Sequence, residues 1–381
     1  MKIGFLLSSF HPFTGGREIL TLNFAKELAK RGHEVHVFTS LAKDLKKEEV
    51  VHGVHIHRSR TWLKYKYYLE FNPGWIWNSL KHRLDIFQVQ SFGFVFADIA
   101  AVLKRMFSKA VVLNSPMGPF MALEKYNWWQ TILKKVYTVL EWPVNRLYTK
   151  VIAINPGQWR WMVNCGVRKA DIIFIPPSVE SYLFAQYNKK PFVDKYNLKG
   201  KFVISYIGRI QKYKGLDQVI TVLPEILKKH KNIVFLAMGK DADDVERLNR
   251  MAKDLDVENN VIFTGPVSEE EKIQGLDVSN IFVFPSEWEA FGIVLVEAFA
   301  RGNAVISTKT EGGKYLVKEG VNGFLYDYKD TKALEKHILK LIEDDKLRKT
   351  IISNNIKKAH GFSTEKVTDE LERLYLALLK K

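Results

Sequence analysis

The sequence predicts an α/β protein of two doubly wound domains, and three observations predict it. Short β-branched apolar runs alternate with longer helical stretches, and the pattern occurs twice. A chain of 381 residues is long for one domain, and 46% hydrophobic residues suffice to fill two cores. Between the halves, Ile175-Pro176-Pro177-Ser178 interrupts regular structure, and 188–201 is polar and lysine-rich. The expected limits are 1–175 for the first domain, 176–200 for the joint and 201–362 for the second domain. Residues 363–381 form a C-terminal helix able to cross back to the first domain.

In order, a buried strand runs from Ile3 to Ser8, then a loop holds Gly15-Gly16. A helix over 18–31 closes at Gly32, and a strand follows at Val35-His36-Val37-Phe38. Further strands are expected at 54–56, 86–89, 110–113 and 151–154, with a helical, aromatic and basic insert near 120–148. The second half reads as strands at 202–207, 233–236, 261–263, 281–284 and 304–307, with helices such as 216–229 and 243–255 between them. Two such domains facing each other leave a cleft at the carboxyl ends of their strands, where ligands bind in wound sheets. Ser363-Thr364 caps the final amphipathic helix.

Composition narrows the class. A single cysteine, Cys165, excludes an intrachain disulfide and any multi-cysteine metal site, and points to a reducing, cytoplasmic setting. The N-terminus lacks the apolar stretch of a signal peptide, and no run of about 18 apolar residues spans a bilayer. The net charge of +16 is lopsided, with +12 in residues 1–180 and +4 in 181–381. Eight of the nine tryptophans also lie in the first half. Two readings fit that half: indoles packed inside under a solvated basic surface, or a face that docks on anionic lipid headgroups. A nucleic-acid partner would explain the charge but not the motifs that follow.

The most informative stretch is Pro285-Ser286-Glu287-Trp288-Glu289-Ala290-Phe291-Gly292-Ile293, continuing to Glu297. It places Glu289 at a strand-to-helix corner and Glu297 about two turns along a helix ended by Gly302. Glycine allows close approach, the first helical turn offers free N–H groups to phosphate oxygens, and carboxylates accept from sugar hydroxyls. The alternative is that both acids are helix-surface charges in favourable dipole positions. Gly208-Arg209-Ile210-Gln211-Lys212-Tyr213-Lys214-Gly215 follows the first strand of the second half. A guanidinium at Arg209 and an ammonium at Lys214 can grip a diphosphate from two sides, or merely decorate a solvated loop.

These motifs give the chain a resemblance. It resembles the retaining glycosyltransferases of family 4, whose GT-B fold pairs two facing Rossmann-like domains across a central cleft. The resemblance rests on Gly15-Gly16, Arg31-Gly32-His33-Glu34-Val35, Ile175-Pro176 with Ser178-Val179-Glu180, and Gly208-Arg209 with Lys214-Gly215. It continues through Met238-Gly239, Phe263-Thr264-Gly265 and the Glu289–Glu297 block. Gly302 to Ile306, Glu311-Gly312-Gly313 and Gly320 to Gly323 complete it.

The resemblance implies a nucleotide diphosphate sugar, UDP-, GDP- or ADP-linked, as substrate in the second domain, with no cofactor and no metal. Arg209 and Lys214 would hold the diphosphate, Glu297 the ribose and Glu289 the transferred sugar. Backbone at Phe291, Gly292 and Ile293 would lie along the sugar and phosphates, and Gly15 and Gly16 would let the first loop approach the phosphates. Glu289, Arg209 and Lys214 are the catalytic candidates, Glu289 as an orienting group rather than a nucleophile. A lipid-linked or polysaccharide glycan would accept a hexose or N-acetylhexosamine.

The chain departs from the family where a histidine usually follows the fifth strand and a His-x-His sits on the fourth. Here the residues are Asn114-Ser115 and Gln88-Val89-Gln90. Gln90, Asn114 and Ser115 can bond a sugar hydroxyl but are not bases near neutral pH, and His11 is the nearest histidine by position. The departure supports an alternative: a catalytically weakened, donor-binding subunit of a transferase complex. An epimerase on the same fold is disfavoured by the Glu289–Glu297 block. The Trp62–Tyr68 cluster and the Met121–Lys150 insert, with Trp128, Trp129 and Trp142, are the segments expected to lean on a membrane.

Overall fold

Ile3-Gly4-Phe5-Leu6 offers water no polar side chain, so it is stable only when covered on both faces, and it lies at the centre of a sheet. The computed structural model describes all residues except Thr14, 66–68, 91–94, 117–127 and Lys381. The chain divides into two units: Met1–Ser178 with Thr364–Lys381, and Val179–Ser363.

The first unit carries β1 (Lys2–Leu6), β2 (Glu34–Ser40), β3 (Glu48–Val51), β4 (Val54–Ser59), β5 (Leu63–Tyr65) and β6 (Leu69–Phe71). It continues with β7 (Ile86–Val89), β8 (Val111–Asn114), β9 (Lys150–Ala153) and β10 (Ile172–Phe174). Eight of these form one sheet in the order β10-β9-β8-β7-β1-β2-β4-β3, parallel except that β3 runs antiparallel to β4. β5 and β6 make a separate antiparallel ladder. The order reverses at β1, which takes β2 on one side and β7 on the other.

The second unit carries β11 (Phe202–Ile207), β12 (Ile233–Met238), β13 (Val261–Phe263), β14 (Ile281–Phe284), β15 (Ala304–Thr308) and β16 (Phe324–Tyr326). They form one parallel sheet in the order β13-β12-β11-β14-β15-β16, which reverses at β11.

Several expectations are corrected. The first strand ends at Leu6 rather than Ser8, and the helix after it, Gly16–Lys30, already begins at Gly16. β3, β10, β16 and the β5–β6 ladder have no counterpart in the sequence reading, because each is three or four residues long and carries little periodic signal. The joint expected over 176–200 is part of the second unit from Val179 onward. Val179 N donates to Phe362 O at 2.8 Å, Arg301 holds the carbonyls of Leu183 and Ala185, and Phe192 is buried. Lys66, Tyr67, Tyr68, Met121 and Lys125 lie outside the described residues.

The helix Thr364–Leu379 belongs to the first unit. Val367, Leu371 and Tyr375 fill one core with Ile3, Phe5, Leu20 and Phe24. Tyr375 also donates to Gln88 Oε1 at 2.6 Å, and Arg31 reaches Asp369 at 2.6 Å and Glu372 at 2.8 Å.

Candidate active site

In the second unit both motif loops leave the carboxyl ends of β11 and β14, the neighbouring strands at which the order reverses. Wound sheets bind their ligands at such a switch point. The loops rest directly on each other. Gly215, with φ of +70°, ends the Lys212–Lys214 turn, and a Cβ there would stand 2.3 Å from the Pro285 carbonyl. Glu287 N donates to Tyr213 O at 2.8 Å, and Gln218 Nε2 donates to Pro285 O at 2.9 Å. Thr308 Oγ1 fixes Ser286 O at 2.6 Å.

That packing brings the Lys214 ammonium onto the Glu289 carboxylate, with both side chains mostly buried. The same ammonium lies 4.8 Å from the Tyr213 ring centre. Arg209 is exposed, and its guanidinium donates to Tyr213 Oη at 3.3 Å. The loop thus presents one fixed cation and one free to swing within reach of the same corner.

At the corner itself, Phe291 is buried and Gly292 takes φ of +83° as the residue before the helix Ile293–Ala300. Gly312 N donates to Glu289 O at 3.1 Å, so the Glu289 backbone is held from the β15 side as well. Gly292 and Ile293 lead directly into the first helical turn, where amides lack intrahelical partners.

Glu297 is the fifth residue of that helix, little more than one turn along rather than two. It is buried, with Oε1 2.8 Å from Lys272 Nζ, and its Oε2 has no hydrogen-bond partner among the described residues. Lys272 also reaches Glu269 Oε2 at 2.7 Å, which accepts from Tyr182 Oη at 2.8 Å. Burial works against the Lys272 charge, but Glu297 and Glu269 outweigh it and hold its pKa above the ordinary lysine value. Sequence reasoning missed Lys272. Its signal was present: Ser268 and Glu271 form a capping box, which places Lys272 beside Ile273 on the buried start of the helix Glu269–Val278.

In the first unit, Gly15 precedes the helix Gly16–Lys30, and Ile19 N donates to its carbonyl at 2.9 Å. The loop is closed by its own polar side chains. Ser9 Oγ donates to Glu18, and Arg17 Nη2 lies 2.7 Å from Ser8 Oγ and 3.3 Å from Glu18 Oε1. Arg17 and Glu18 are further residues that the motif search passed over.

Gln90 and Asn114 stand at the carboxyl ends of β7 and β8, and both are completely buried. Their backbones continue the ladder: Gln90 N donates to Leu6 O and Ser115 N to Val89 O, each at 2.8 Å. Yet all four side-chain amide atoms of Gln90 and Asn114 have no hydrogen-bond partner among the described residues. Unsatisfied buried amides cost about 1–3 kcal/mol each, so the neighbouring carboxyl ends of β7 and β8 mark a second polar centre. His11 sits in the loop after β1, with its carbonyl accepting from Arg58 at 2.8 Å. Among the described residues no hydrogen bond joins it to Gln90, Asn114 or Ser115.

The family described as "Glycosyltransferase Family 4" matches residues 14–181, and "Glycosyl transferases group 1" matches 188–358. The capsular polysaccharide biosynthesis glycosyltransferase CapM of Staphylococcus aureus is 34% identical over 201 residues, 51% of this chain and 52% of CapM. The phosphatidyl-myo-inositol mannosyltransferase of Mycolicibacterium smegmatis is 24% identical over 70% of this chain and 67% of its own. Among solved structures, Anabaena HepE in complex with UDP and glucose superposes with a TM-score of 0.79 at 20% identity, covering 99% of this chain and 100% of HepE. With one family match on each sheet, the chain belongs to glycosyltransferase family 4, and its two Rossmann-like units are those of the GT-B fold.

Proposed function

We propose that this glycosyltransferase moves a hexose or N-acetylhexosamine from a nucleoside diphosphate sugar to a lipid-linked or polysaccharide glycan, with retention at the anomeric carbon. The observation that carries the reading is the Lys214–Glu289 contact at the β11–β14 switch point. Before donor binds, each side chain holds the other in place. A diphosphate brings more negative charge than one carboxylate and draws Lys214 away, which frees Glu289 to accept from the sugar hydroxyls. Arg209 swings onto the same phosphates, and the amides at Gly292 and Ile293 meet them at the helix start. Glu297 offers its unpaired Oε2 to the ribose hydroxyls, with Lys272 neutralising the other oxygen.

In the transfer, the bond from the anomeric carbon to the phosphate oxygen breaks as the bond to the acceptor oxygen forms on the same face. The acceptor proton passes to the departing phosphate oxygen. Arg209 and Lys214 stabilise the charge that develops on that phosphate, so the reading needs no bound metal. Gln90, Asn114 and Ser115 serve the acceptor side as hydrogen-bonding groups.

HepE was solved with UDP and glucose, so UDP is the first diphosphate to test. Thermal-shift titration with UDP, GDP and ADP should show one that raises the melting temperature. At about 100 times its Kd it stabilises by about 2.7 kcal/mol. No response to any of the three would sink the donor assignment. A response without nucleotide release in the presence of acceptors would favour the donor-binding subunit, the reading that Gln90 and Asn114 in the histidine positions support.

The acceptor reading draws on CapM and the mannosyltransferase, and on an exposed apolar stripe of the first unit. In the helix Trp128–Asn145, Trp128, Ile132, Val136 and Leu140 recur every four residues and are all exposed, Trp128 by 77%. Trp129 and Val139 widen the stripe. No helix among the described residues is long and apolar enough to cross a membrane, so this face would lie on one. Flotation with phosphatidylglycerol vesicles should carry the protein up, and Leu140→Glu should reduce it several-fold. Equal recovery without vesicles would remove the membrane from the reading.

A further inference from the structure

Three histidines meet in the first unit at a place the transfer reaction does not use. His36 on β2 and His57 on β4 project from one sheet face, and His82 directly follows the helix Pro73–Lys81. His82 leads into the amino end of β7, whereas Gln90 and Asn114 stand at carboxyl ends. One nitrogen of each ring lies within 4.8 Å of the other two. His36 and His57 are buried and His82 is half-buried.

The outer nitrogens decide what the inner ones can do. His36 Nε2 lies 3.0 Å from Glu34 Oε1, and His57 Nδ1 lies 2.6 Å from Glu48 Oε2. His82 Nδ1 lies 2.8 Å from the Asn78 carbonyl. Carboxylates and carbonyls only accept, so all three outer nitrogens carry the hydrogen. The lone pairs therefore fall on the inner nitrogens, and His36 Nδ1 faces His57 Nε2 at 2.9 Å. Two lone pairs at that distance repel unless a cation lies between them.

A shared proton would serve two rings; three converging rings suit a metal. Each outer hydrogen bond also reproduces the carboxylate or carbonyl support that fixes a metal-ligating imidazole in its tautomer. We propose that His36, His57 and His82 bind a divalent transition-metal ion of the zinc class, with water in the fourth position on the half-buried His82 side. Zinc–nitrogen bonds of about 2.0–2.1 Å set ligand atoms about 3.3 Å apart in a tetrahedron, so the 2.9 Å pair opens by a few tenths of an ångström and the His82 nitrogen, within 4.8 Å of the others, closes by up to about 1.5 Å. The ion would staple β2 and β4 to the helix Pro73–Lys81. His55, stacked on His36 at 5.2 Å, shields the group without joining it.

The test is titration of the chelator-treated full chain with cobalt(II), followed by displacement with zinc. One equivalent should produce the visible absorption of a low-symmetry cobalt site, and zinc should abolish it and raise the melting temperature. His82→Ala should weaken binding at least tenfold. Glu48→Gln, at an exposed carboxylate that leaves the core untouched, should weaken it about tenfold. His230→Ala, in the other unit, should change nothing. Absence of stoichiometric binding in the wild-type chain, or wild-type affinity in both His82→Ala and Glu48→Gln, would overturn the proposal and leave a shared proton between His36 and His57.

Discussion

Lys214→Ala is expected to lower transfer by about 10²–10³-fold in kcat, the scale seen when one preorganised charge-stabilising donor is removed. The effect should appear in kcat more than in KM, because the charge on the leaving phosphate grows toward the transition state. The substitution also strands Glu289, which is mostly buried and loses the cation it contacts. A modest drop in melting temperature therefore accompanies the loss. Lys214→Ala combined with Glu289→Gln separates the two effects, since it removes the stranded charge without restoring a grip on phosphate. Melting should recover while turnover stays low. Turnover within about threefold of wild type in Lys214→Ala would show that the ammonium does not serve the diphosphate.

Lys272→Met should have the largest effect on stability. Its ammonium is the cation shared by Glu297, whose side chain is nearly enclosed, and by Glu269. Removing one partner of a buried pair costs about 3–5 kcal/mol, because the remaining charge has neither water nor counter-ion. For a domain of 150–250 residues each kcal/mol is about 2–4 °C, so melting should fall by on the order of 10 °C. Adding Glu297→Gln should recover most of that loss, as a neutral amide is cheaper to bury than a lone carboxylate. A melting change below about 2 °C in Lys272→Met would mean that water screens the pair.

The parts of the fold legible in the sequence were those with a long or repeated signal. Ile281 to Phe284 is a continuous apolar run closed by Pro285, and Phe202 to Ile207 is apolar but for Ser205 and closed by Gly208, so the sheet and the two site loops follow from local pattern. The Glu289 corner was legible for the same reason. Its partner was not named, because Lys214 and Glu289 are 75 positions apart and only the strand order makes them neighbours. Lys272 and Glu297 are likewise joined across helices that follow different strands. The histidine group was the least legible. His55-Ile56-His57 hints at one sheet face, but His82 arrives from a helix end that no local rule relates to β4.

The return of residues 364–379 to the first unit makes the second unit, topologically, a guest inside its host. The host's core around Ile3, Leu20 and Phe24 includes Val367, Leu371 and Tyr375, so a fragment 1–178 has a hole where three large side chains belong. The guest, 179–363, is continuous in sequence and holds both paired glutamates with their lysines. During synthesis the guest can close its sheet while the host still waits for its final helix. The polypeptide that bears both motif loops is thereby the first to become a finished body, although it is the second to be translated.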